Sequence, residues 1–193
     1  MRIIAGEFKG RAIVPPVDRT TRPMLARVRE ALFSTLGALI EDARILDLFS
    51  GTGSLGLEAL SRGAATVRFV ERDRRALQAL RENVEALDVT ERSRVQAGSA
   101  LDAYRWGDED FDLIFMDPPY PWFRDGSKRT KLFRTIRDLS ETKLAAGGAL
   151  VLHTHPRDVD AIDFDLEPLP EKRVYGNTAL WYVWKPMNAG ASE

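Results

Sequence analysis

The chain contains no cysteine and only two histidines among its 193 residues. The lack of cysteine excludes disulfides and thiolate metal sites within it, and two histidines leave few ligands for zinc, so metal catalysis is not expected. No apolar run approaches the roughly 18 residues of a membrane-spanning helix. Charged side chains at Arg2, Lys9 and Arg11 interrupt the N-terminal region, so no signal peptide is predicted. These absences favour a cytoplasmic protein.

Length and composition suit one main domain with a small appendage. A chain of 193 residues exceeds a typical domain of roughly 150 residues only slightly, and 44% hydrophobic with 30% charged residues is usual for a globular protein. Residues 1–40 are predicted to form the appendage, a β-hairpin followed by an amphipathic helix that begins at Pro23. Residues 41–187 are predicted to form the main domain.

From residue 43 onward, short apolar segments alternate with helical segments. This alternation indicates βαβ units, whose right-handed crossovers produce a parallel sheet covered on both faces. Two further strands, Glu171–Tyr175 and Thr178–Lys185, are joined by a Gly-Asn turn and are predicted to close one edge of the sheet as an antiparallel pair. The predicted parallel strands are 45–49, 67–71, 94–96, 111–116 and 149–152, and the intervening helices end near residue 62 or span 73–88 and 128–144.

Basic residues are concentrated in two segments although the net charge is only −1. Residues 1–30 carry seven basic and three acidic side chains, and residues 122–137 carry six basic and one acidic side chain. One face that binds a polyanion such as RNA would explain this distribution, and so would ordinary solvated surface charge. The candidate phosphate-binding residues are Lys9, Arg11, Arg22, Arg27, Arg29, Arg124, Lys128 and Arg129.

A glycine-rich segment follows the first predicted parallel strand and opens the next helix. Gly51 and Gly53 let the backbone turn tightly beside a ligand, and Glu71, at the end of the next strand, can bind ribose hydroxyls. This spacing also fits an NAD-dependent oxidoreductase. Asp47 would repel a pyrophosphate but attract the ammonium of a methionine moiety, which favours S-adenosylmethionine. Alternatively, the Asp47 carboxylate caps backbone N–H groups of the loop.

A second motif, Asp117-Pro118-Pro119-Tyr120, follows the fourth predicted strand and is expected at the same edge of the sheet. Two prolines remove two N–H donors, so the loop presents hydrogen-bond acceptors. Asp117 and the Pro118 carbonyl can accept both N–H bonds of an exocyclic amino group and direct its lone pair at a methyl group. Tyr120 offers a face on which a base can stack. The alternative is a rigid β-turn with a buried tyrosine.

The chain resembles the bacterial 16S rRNA guanine-N2 methyltransferases along most of its length. The motifs that carry the resemblance are Arg2-Ile3-Ile4-Ala5-Gly6, Arg22-Pro23, Arg27-Val28-Arg29-Glu30-Ala31-Leu32-Phe33, the segments 46–53 and 56–64, Asp117 to Tyr120, and Val174-Tyr175-Gly176-Asn177-Thr178. Ser99 stands where members of that family often have an aspartate. Asp-Pro-Pro-Tyr by itself would also suit an adenine-N6 methyltransferase of DNA or RNA.

The resemblance implies a class I methyltransferase fold with a mostly parallel, Rossmann-like seven-stranded sheet and S-adenosylmethionine as methyl donor. It implies a cytoplasmic monomer that methylates N2 of a guanine in 16S rRNA, within a small-subunit assembly particle. The implied catalytic residues are Asp117, Pro118, Pro119 and Tyr120. The implied cofactor-binding residues are Asp47, Phe49, Ser50, Gly51, Gly53, Glu71, Arg72, Ser99 and Ala100.

Other residues receive less specific interpretations. A non-catalytic RNA-binding module would explain the charge distribution but would leave the glycine-rich segment without a purpose. Trp122 and Phe123 are expected either to form a lid or to pack the loop. His153 and His155 are predicted to be ordinary polar residues at the end of the fifth strand, and Asn83 to be a helix-surface residue or to make a local hydrogen bond.

Overall fold

The computed structural model describes residues 1–15, 24–105 and 109–187, with the backbone alone for residues 103–105. A seven-stranded sheet has the order β3-β2-β1-β4-β5-β7-β6. The first five strands are parallel to one another, and β7 is antiparallel to both of its neighbours. The strands are β1 Arg44–Leu48, β2 Thr66–Glu71, β3 Ser93–Ala97, β4 Phe111–Met116, β5 Leu144–Thr154, β6 Glu171–Tyr175 and β7 Thr178–Trp184. The predicted parallel sheet with an antiparallel pair at one edge is confirmed.

Four α-helices cover the sheet in the described part of the chain, and their bounds are α1 Ala26–Leu36, α2 Ser54–Ser61, α3 Arg74–Ala86 and α4 Gly126–Thr142. Helix α1 begins three residues after the predicted start, Pro23, which lies outside the described residues. The predicted N-terminal hairpin is reduced to a single antiparallel bridge between Arg2 and Ala12. No described helix has the length and apolar character required to cross a bilayer.

Two apolar cores lie on opposite faces of the sheet. Because side chains alternate between the faces of a strand, Leu113 and Phe115 of β4 join one core and Ile114 and Met116 join the other. The first core also receives α1, α2, α3 and the N-terminal segment, whereas the second receives α4. Burial on both faces explains why the central strands read as nearly continuous apolar runs. The boundary at residue 40 stays a prediction, although α1 packs into the first core.

The N-terminal segment is attached to α2 through a buried carboxylate. Glu58 is 0% exposed and accepts hydrogen bonds from the backbone N–H groups of Ile4 (2.8 Å) and Ala5 (3.0 Å). The Arg62 guanidinium donates to it at 2.9 Å, and that of Arg29 lies 3.7 Å away. At Gly6, a Cβ atom would lie 1.7 Å from the backbone oxygen of Ser61, so a side chain is excluded by this close approach. Residues 4–6 are therefore fixed against α2.

A buried amide attaches the other end of this segment. Asn83 of α3 is 1% exposed, so its predicted place on the helix surface is wrong. Its Oδ1 accepts from the Val14 N–H at 2.6 Å. Its Nδ2 donates to the carbonyls of Val14 (3.2 Å) and Thr52 (3.0 Å). Thr52 belongs to the glycine-rich loop, so Asn83 joins the N-terminal segment to that loop.

Replacing Glu58 with glutamine is expected to lower the free energy of unfolding by about 3 kcal/mol. The amide leaves Arg29 without its carboxylate in a buried position and turns N–H groups toward the backbone donors of Ile4 and Ala5. Urea denaturation measures this loss. Glu85→Gln, on the exposed side of α3, is the matched control and should stay within about 0.5 kcal/mol of the wild type. Equal stability of the two variants would contradict the anchoring role of Glu58.

Candidate active site

The glycine-rich loop connects β1 to α2 at the carboxyl edge of the sheet, as predicted. Phe49, Gly51 and Gly53 all have positive φ angles, of 59°, 55° and 86°. A Cβ at Gly53 would lie 2.5 Å from a methyl group of Leu80, so the loop sits tightly on α3, whereas the space beside Gly51 is open. The loop therefore exposes its backbone at Gly51.

Asp47 lies at the end of β1 and is 1% exposed. Its Oδ2 accepts a hydrogen bond of 2.9 Å from the N–H of Gly56, in the first turn of α2. A bond to a backbone N–H group is the kind of contact given above as the alternative to ligand binding, although Gly56 belongs to the helix and not to the loop. Burial raises the pKa of Asp47 to about 8, and the nearby carboxylates of Asp117 and Glu71 contribute to this rise. At neutral pH the carboxyl group therefore holds its proton in the ligand-free chain. A contact between Asp47 and the cofactor stays a prediction.

Glu71 ends β2 beside the glycine-rich loop. One oxygen accepts from the Gly51 N–H at 2.9 Å, and the other accepts from the N–H groups of Arg72 (2.7 Å) and Asp73 (2.8 Å). These three donors fix the carboxylate in one orientation. The half-buried Glu71 is therefore oriented before any ligand binds.

An aromatic and cationic cluster borders the same loop. The Trp122 ring is buried and meets Phe49 edge to face, with ring centroids 5.3 Å apart. The guanidinium of Arg72 lies 5.2 Å from the Trp122 ring centroid, and the ammonium of Lys128 lies 5.9 Å from it. Phe123 belongs to the second core. Of the two predicted roles of Trp122 and Phe123, loop packing agrees with this burial.

Ser50, Ser99 and Ala100 complete the predicted cofactor-binding set. The Ser50 hydroxyl is buried and has no hydrogen-bond partner among the described residues. Ser99 follows β3, and its Oγ accepts from the Leu101 N–H at 3.2 Å. Ala100 is buried in the second core. The Ser50 hydroxyl is thus the polar group of this set whose hydrogen bonding the described residues leave unsatisfied.

The motif from Asp117 to Tyr120 leaves β4 next to the glycine-rich loop. Parallel pairing places Leu48 of β1 opposite Met116 of β4, so the residues that follow each strand lie side by side. The Asp117 N–H reaches the Leu48 carbonyl at 3.4 Å. The predicted placement of both motifs at one edge of the sheet is therefore confirmed.

His153 bridges the first and last residues of this motif. Its Nδ1 lies 2.7 Å from Oδ1 of Asp117, and its Nε2 lies 3.2 Å from the Tyr120 hydroxyl. The residue is 3% exposed on β5, so the prediction of an ordinary edge residue is wrong. The contact depends on the pairing of Met116 with Leu152, which no local sequence pattern encodes. His155 lies beyond the end of β5 and accepts from the Arg157 N–H.

Two predicted phosphate-binding residues have structural roles instead. Arg29 is 1% exposed and donates to the Arg2 carbonyl at 2.6 Å, so it cannot reach a phosphate on the surface. Arg129 donates to the carbonyls of Phe123 and Asp158 and to the carboxylate of Asp163, which commits its guanidinium within the fold. These two assignments are corrected by burial and by internal pairing.

The other predicted phosphate-binding residues fall into two groups. Lys9, Arg11, Arg27, Arg124 and Lys128 are exposed, although Arg11 also donates to the Ala86 carbonyl. Arg22 lies outside the described residues.

Within the described part of the chain, no cluster of histidine and carboxylate side chains is arranged to hold a metal ion.

The strand order with antiparallel β7, together with the two loops at the carboxyl edge, defines a class I methyltransferase fold. The family model described as Conserved hypothetical protein 95 matches residues 1–184, and the chain belongs to this family. The provisionally named rRNA methyltransferase YlbH of Bacillus subtilis is 34% identical over 93% of this chain and 96% of its own. Ribosomal RNA small subunit methyltransferase D of Escherichia coli is 37% identical over 78% of this chain and 72% of its own length.

A solved structure supports the same assignment. The hypothetical protein TTHA0928 of Thermus thermophilus is 34% identical and superposes with a TM-score of 0.76. The match covers 95% of this chain and 99% of that chain. The fold is therefore shared with this structure over nearly the whole chain.

Asp47→Asn is expected to change how stability depends on pH. Between about pH 4 and pH 8 the folded chain keeps a proton on Asp47 that the unfolded chain releases. Raising the pH therefore destabilises the wild type by up to about 1.4 kcal/mol per pH unit, and asparagine removes this effect. The variant should gain stability relative to the wild type as the pH rises from about 5 to about 7, as measured by urea denaturation.

Asp88→Asn, in an exposed turn, is the matched control for this measurement and should follow the wild type at every pH. A stability difference between Asp47→Asn and the wild type that stays constant over the same range would contradict the raised pKa.

Proposed function

We propose that the protein methylates N2 of a guanine in 16S rRNA, as a monomer acting on a small-subunit assembly particle. The observation that carries this proposal is the placement of Asp117 and Tyr120 beside the glycine-rich loop through the pairing of β1 with β4. Membership of the family and the similarity to Ribosomal RNA small subunit methyltransferase D support the substrate class. Neither the family nor this relative supports the alternative interpretation as an NAD-dependent oxidoreductase.

S-adenosylmethionine is the methyl donor of class I methyltransferases, and it supplies an electrophilic methyl group on a positively charged sulfur. The residues at the β1 edge fit this group. Gly51 leaves open space, the Ser50 hydroxyl is buried without a partner among the described residues, and the Glu71 carboxylate is already oriented for ribose hydroxyls. Phe49, Arg72, Ser99 and Ala100 border the same loops and complete the proposed binding set, with Asp47 and Gly53.

The catalytic loop acts on the exocyclic amino group of the base. The lone pair of that nitrogen is delocalised into the ring, so its orientation decides whether it can attack. Asp117 accepts one N–H bond and the Pro118 carbonyl accepts the other, while Pro119 holds the turn and Tyr120 offers a stacking face. When the nitrogen takes the methyl group, the bond from the methyl carbon to sulfur would break with its electron pair left on sulfur, and the nitrogen would become positively charged. Asp117 stabilises this charge and takes up the proton that leaves.

The base must enter this site unpaired or turned out of its helix, because a paired guanine cannot place N2 at the loop. Exposed cations beside the cleft are suited to holding the neighbouring phosphates. Lys128 is the best placed, since its ammonium lies over Trp122, which contacts Phe49 of the glycine-rich loop, and the exposed Arg124 stands four residues before it in the chain. Lys9, Arg11 and Arg27 are proposed to extend this surface.

Methyl transfer tests the proposal directly. Purified protein is incubated with methyl-labelled S-adenosylmethionine and either naked 16S rRNA or small-subunit particles from a strain that lacks the enzyme. Mass spectrometry of the digested RNA then identifies the modified nucleoside. N2-methylguanosine formed on the particle supports the proposal, N6-methyladenosine would favour the adenine-N6 alternative, and an absence of label would refute both.

Asp117→Ala is expected to lower kcat by on the order of 100-fold or more, because both the orientation of the amine and the proton acceptor are lost. The affinity for S-adenosylmethionine, measured by calorimetry, should change by less than about threefold. Asp112→Ala removes a carboxylate from the opposite end of the same strand and should keep wild-type turnover. A loss of cofactor affinity as large as the loss of kcat would contradict the assignment of Asp117 to the amine.

The double substitution of Arg124 and Lys128 by alanine is expected to weaken RNA binding and to make it less dependent on salt. Each lost phosphate contact reduces the slope of log affinity against log salt by about 0.7 to 0.9. Fluorescence anisotropy with an rRNA fragment at several salt concentrations measures this slope. Arg44→Ala, at the opposite edge of the sheet, is the control, and an unchanged slope in the double variant would exclude this surface.

A further inference from the structure

The catalytic loop is tied to β5 by one buried imidazole. His153 lies in the interior of the sheet, opposite Leu180 of β7, and each of its ring nitrogens faces one residue of the loop. Nδ1 lies 2.7 Å from Asp117 Oδ1, and Nε2 lies 3.2 Å from the Tyr120 hydroxyl. The Tyr120 and His153 rings also meet edge to face, with centroids 5.6 Å apart. The imidazole thus contacts both polar side chains of the motif.

The chemistry of the three groups fixes the direction of these hydrogen bonds. A carboxylate oxygen accepts hydrogen bonds, so Nδ1 of His153 carries a proton and donates a hydrogen bond to Oδ1 of Asp117. In the neutral ring, Nε2 is then an acceptor, and the Tyr120 hydroxyl donates to it. A single tautomer therefore satisfies both contacts.

We infer that His153 is a positioning residue for methyl transfer, an inference that rests on the proposed function. The imidazole binds Oδ1 of Asp117 and fixes the plane of the carboxylate, which leaves Oδ2 as the oxygen that accepts the amino N–H of the base. The same ring fixes Tyr120 at its hydroxyl, so that the face of the phenol ring keeps a constant relation to the carboxylate. Misplacement of the Asp117 carboxylate by about 1 Å is enough to slow such a reaction on the order of 100-fold.

Three substitutions of His153 separate its two contacts. Asparagine places an amide nitrogen near the position of Nδ1 and keeps the bond to Asp117. Glutamine places its amide near the position of Nε2 and keeps the bond to Tyr120. Leucine keeps neither. We expect kcat to fall by less than about tenfold in His153→Asn and by on the order of 100-fold in His153→Gln and His153→Leu.

The affinities for S-adenosylmethionine and for RNA should stay within about twofold of the wild type in all three variants, because His153 acts through Asp117 and Tyr120. His155→Asn, two residues further along the chain, is the matched control and should keep wild-type kcat. Wild-type kcat in His153→Leu, or equal losses in His153→Asn and His153→Leu, would overturn the inference.

A double variant distinguishes positioning from a purely structural role. If His153 acts chiefly through Asp117, adding His153→Leu to Asp117→Ala should lower kcat by less than about threefold beyond Asp117→Ala alone. Independent losses that multiply would indicate general damage to the fold and would overturn the inference. Urea denaturation of each single variant checks that the protein is folded at the assay temperature.

Nitrogen NMR of the imidazole rings supplies a readout that needs no activity. The chain has two histidines, so the spectrum contains two rings, and His155→Asn assigns them. A protonated Nδ1 and an unprotonated Nε2 on His153 support the inference, whereas a proton on Nε2 alone overturns it. Failure of the wild type to methylate any RNA would refute the proposed function, while the tautomer still tests the contact with Asp117 by itself.

Discussion

The parallel pairing of β1 with β4 is the constraint on which the site depends. Its register sets Leu48 beside Met116, so the chain leaves both strands at the same level and the two loops are neighbours from their first residue. A shift of one residue would reverse the faces of every side chain in the strand. The two apolar cores prevent such a shift, because Ile114 and Phe115 are buried on opposite faces. The packing of the sheet thus determines the geometry of the catalytic loop.

This edge of the sheet gathers carboxyl groups in a place where their negative charge is unfavourable. The carboxyl groups of Asp47, Glu71 and Asp117 end three adjacent strands, and their proximity contributes to the raised pKa of Asp47. A region of this kind favours groups that bring positive charge. The sulfonium and the ammonium of the proposed cofactor are both positive when it binds, and during the reaction the positive charge of the sulfonium would pass to the amine. The same electrostatic environment therefore serves cofactor binding and methyl transfer.

The sequence predicted the features that are encoded locally. Alternating apolar segments indicated the strands, and the glycine and proline motifs identified both loops and the edge of the sheet at which they lie. The errors concern residues whose roles depend on contacts between distant segments. His153 meets Asp117 across 36 positions and Asn83 meets Val14 across 69. Charge counting likewise could not show that Arg29 faces the interior, since burial is set by how α1 packs and not by composition.

Three buried polar residues share one task. Glu58 and Asn83 bind the backbones of residues 4 and 5 and of Val14 and Thr52, and His153 binds the Asp117 and Tyr120 side chains of the catalytic loop. Irregular backbone carries N–H and C=O groups that must find partners, and a side-chain amide or carboxylate supplies them at one fixed position. Apolar residues that replaced such a group together with its side-chain partners could keep comparable stability, but they would offer no hydrogen bonds to the loop. These three buried polar residues therefore fix the positions of segments near the site, and their role is not stability alone.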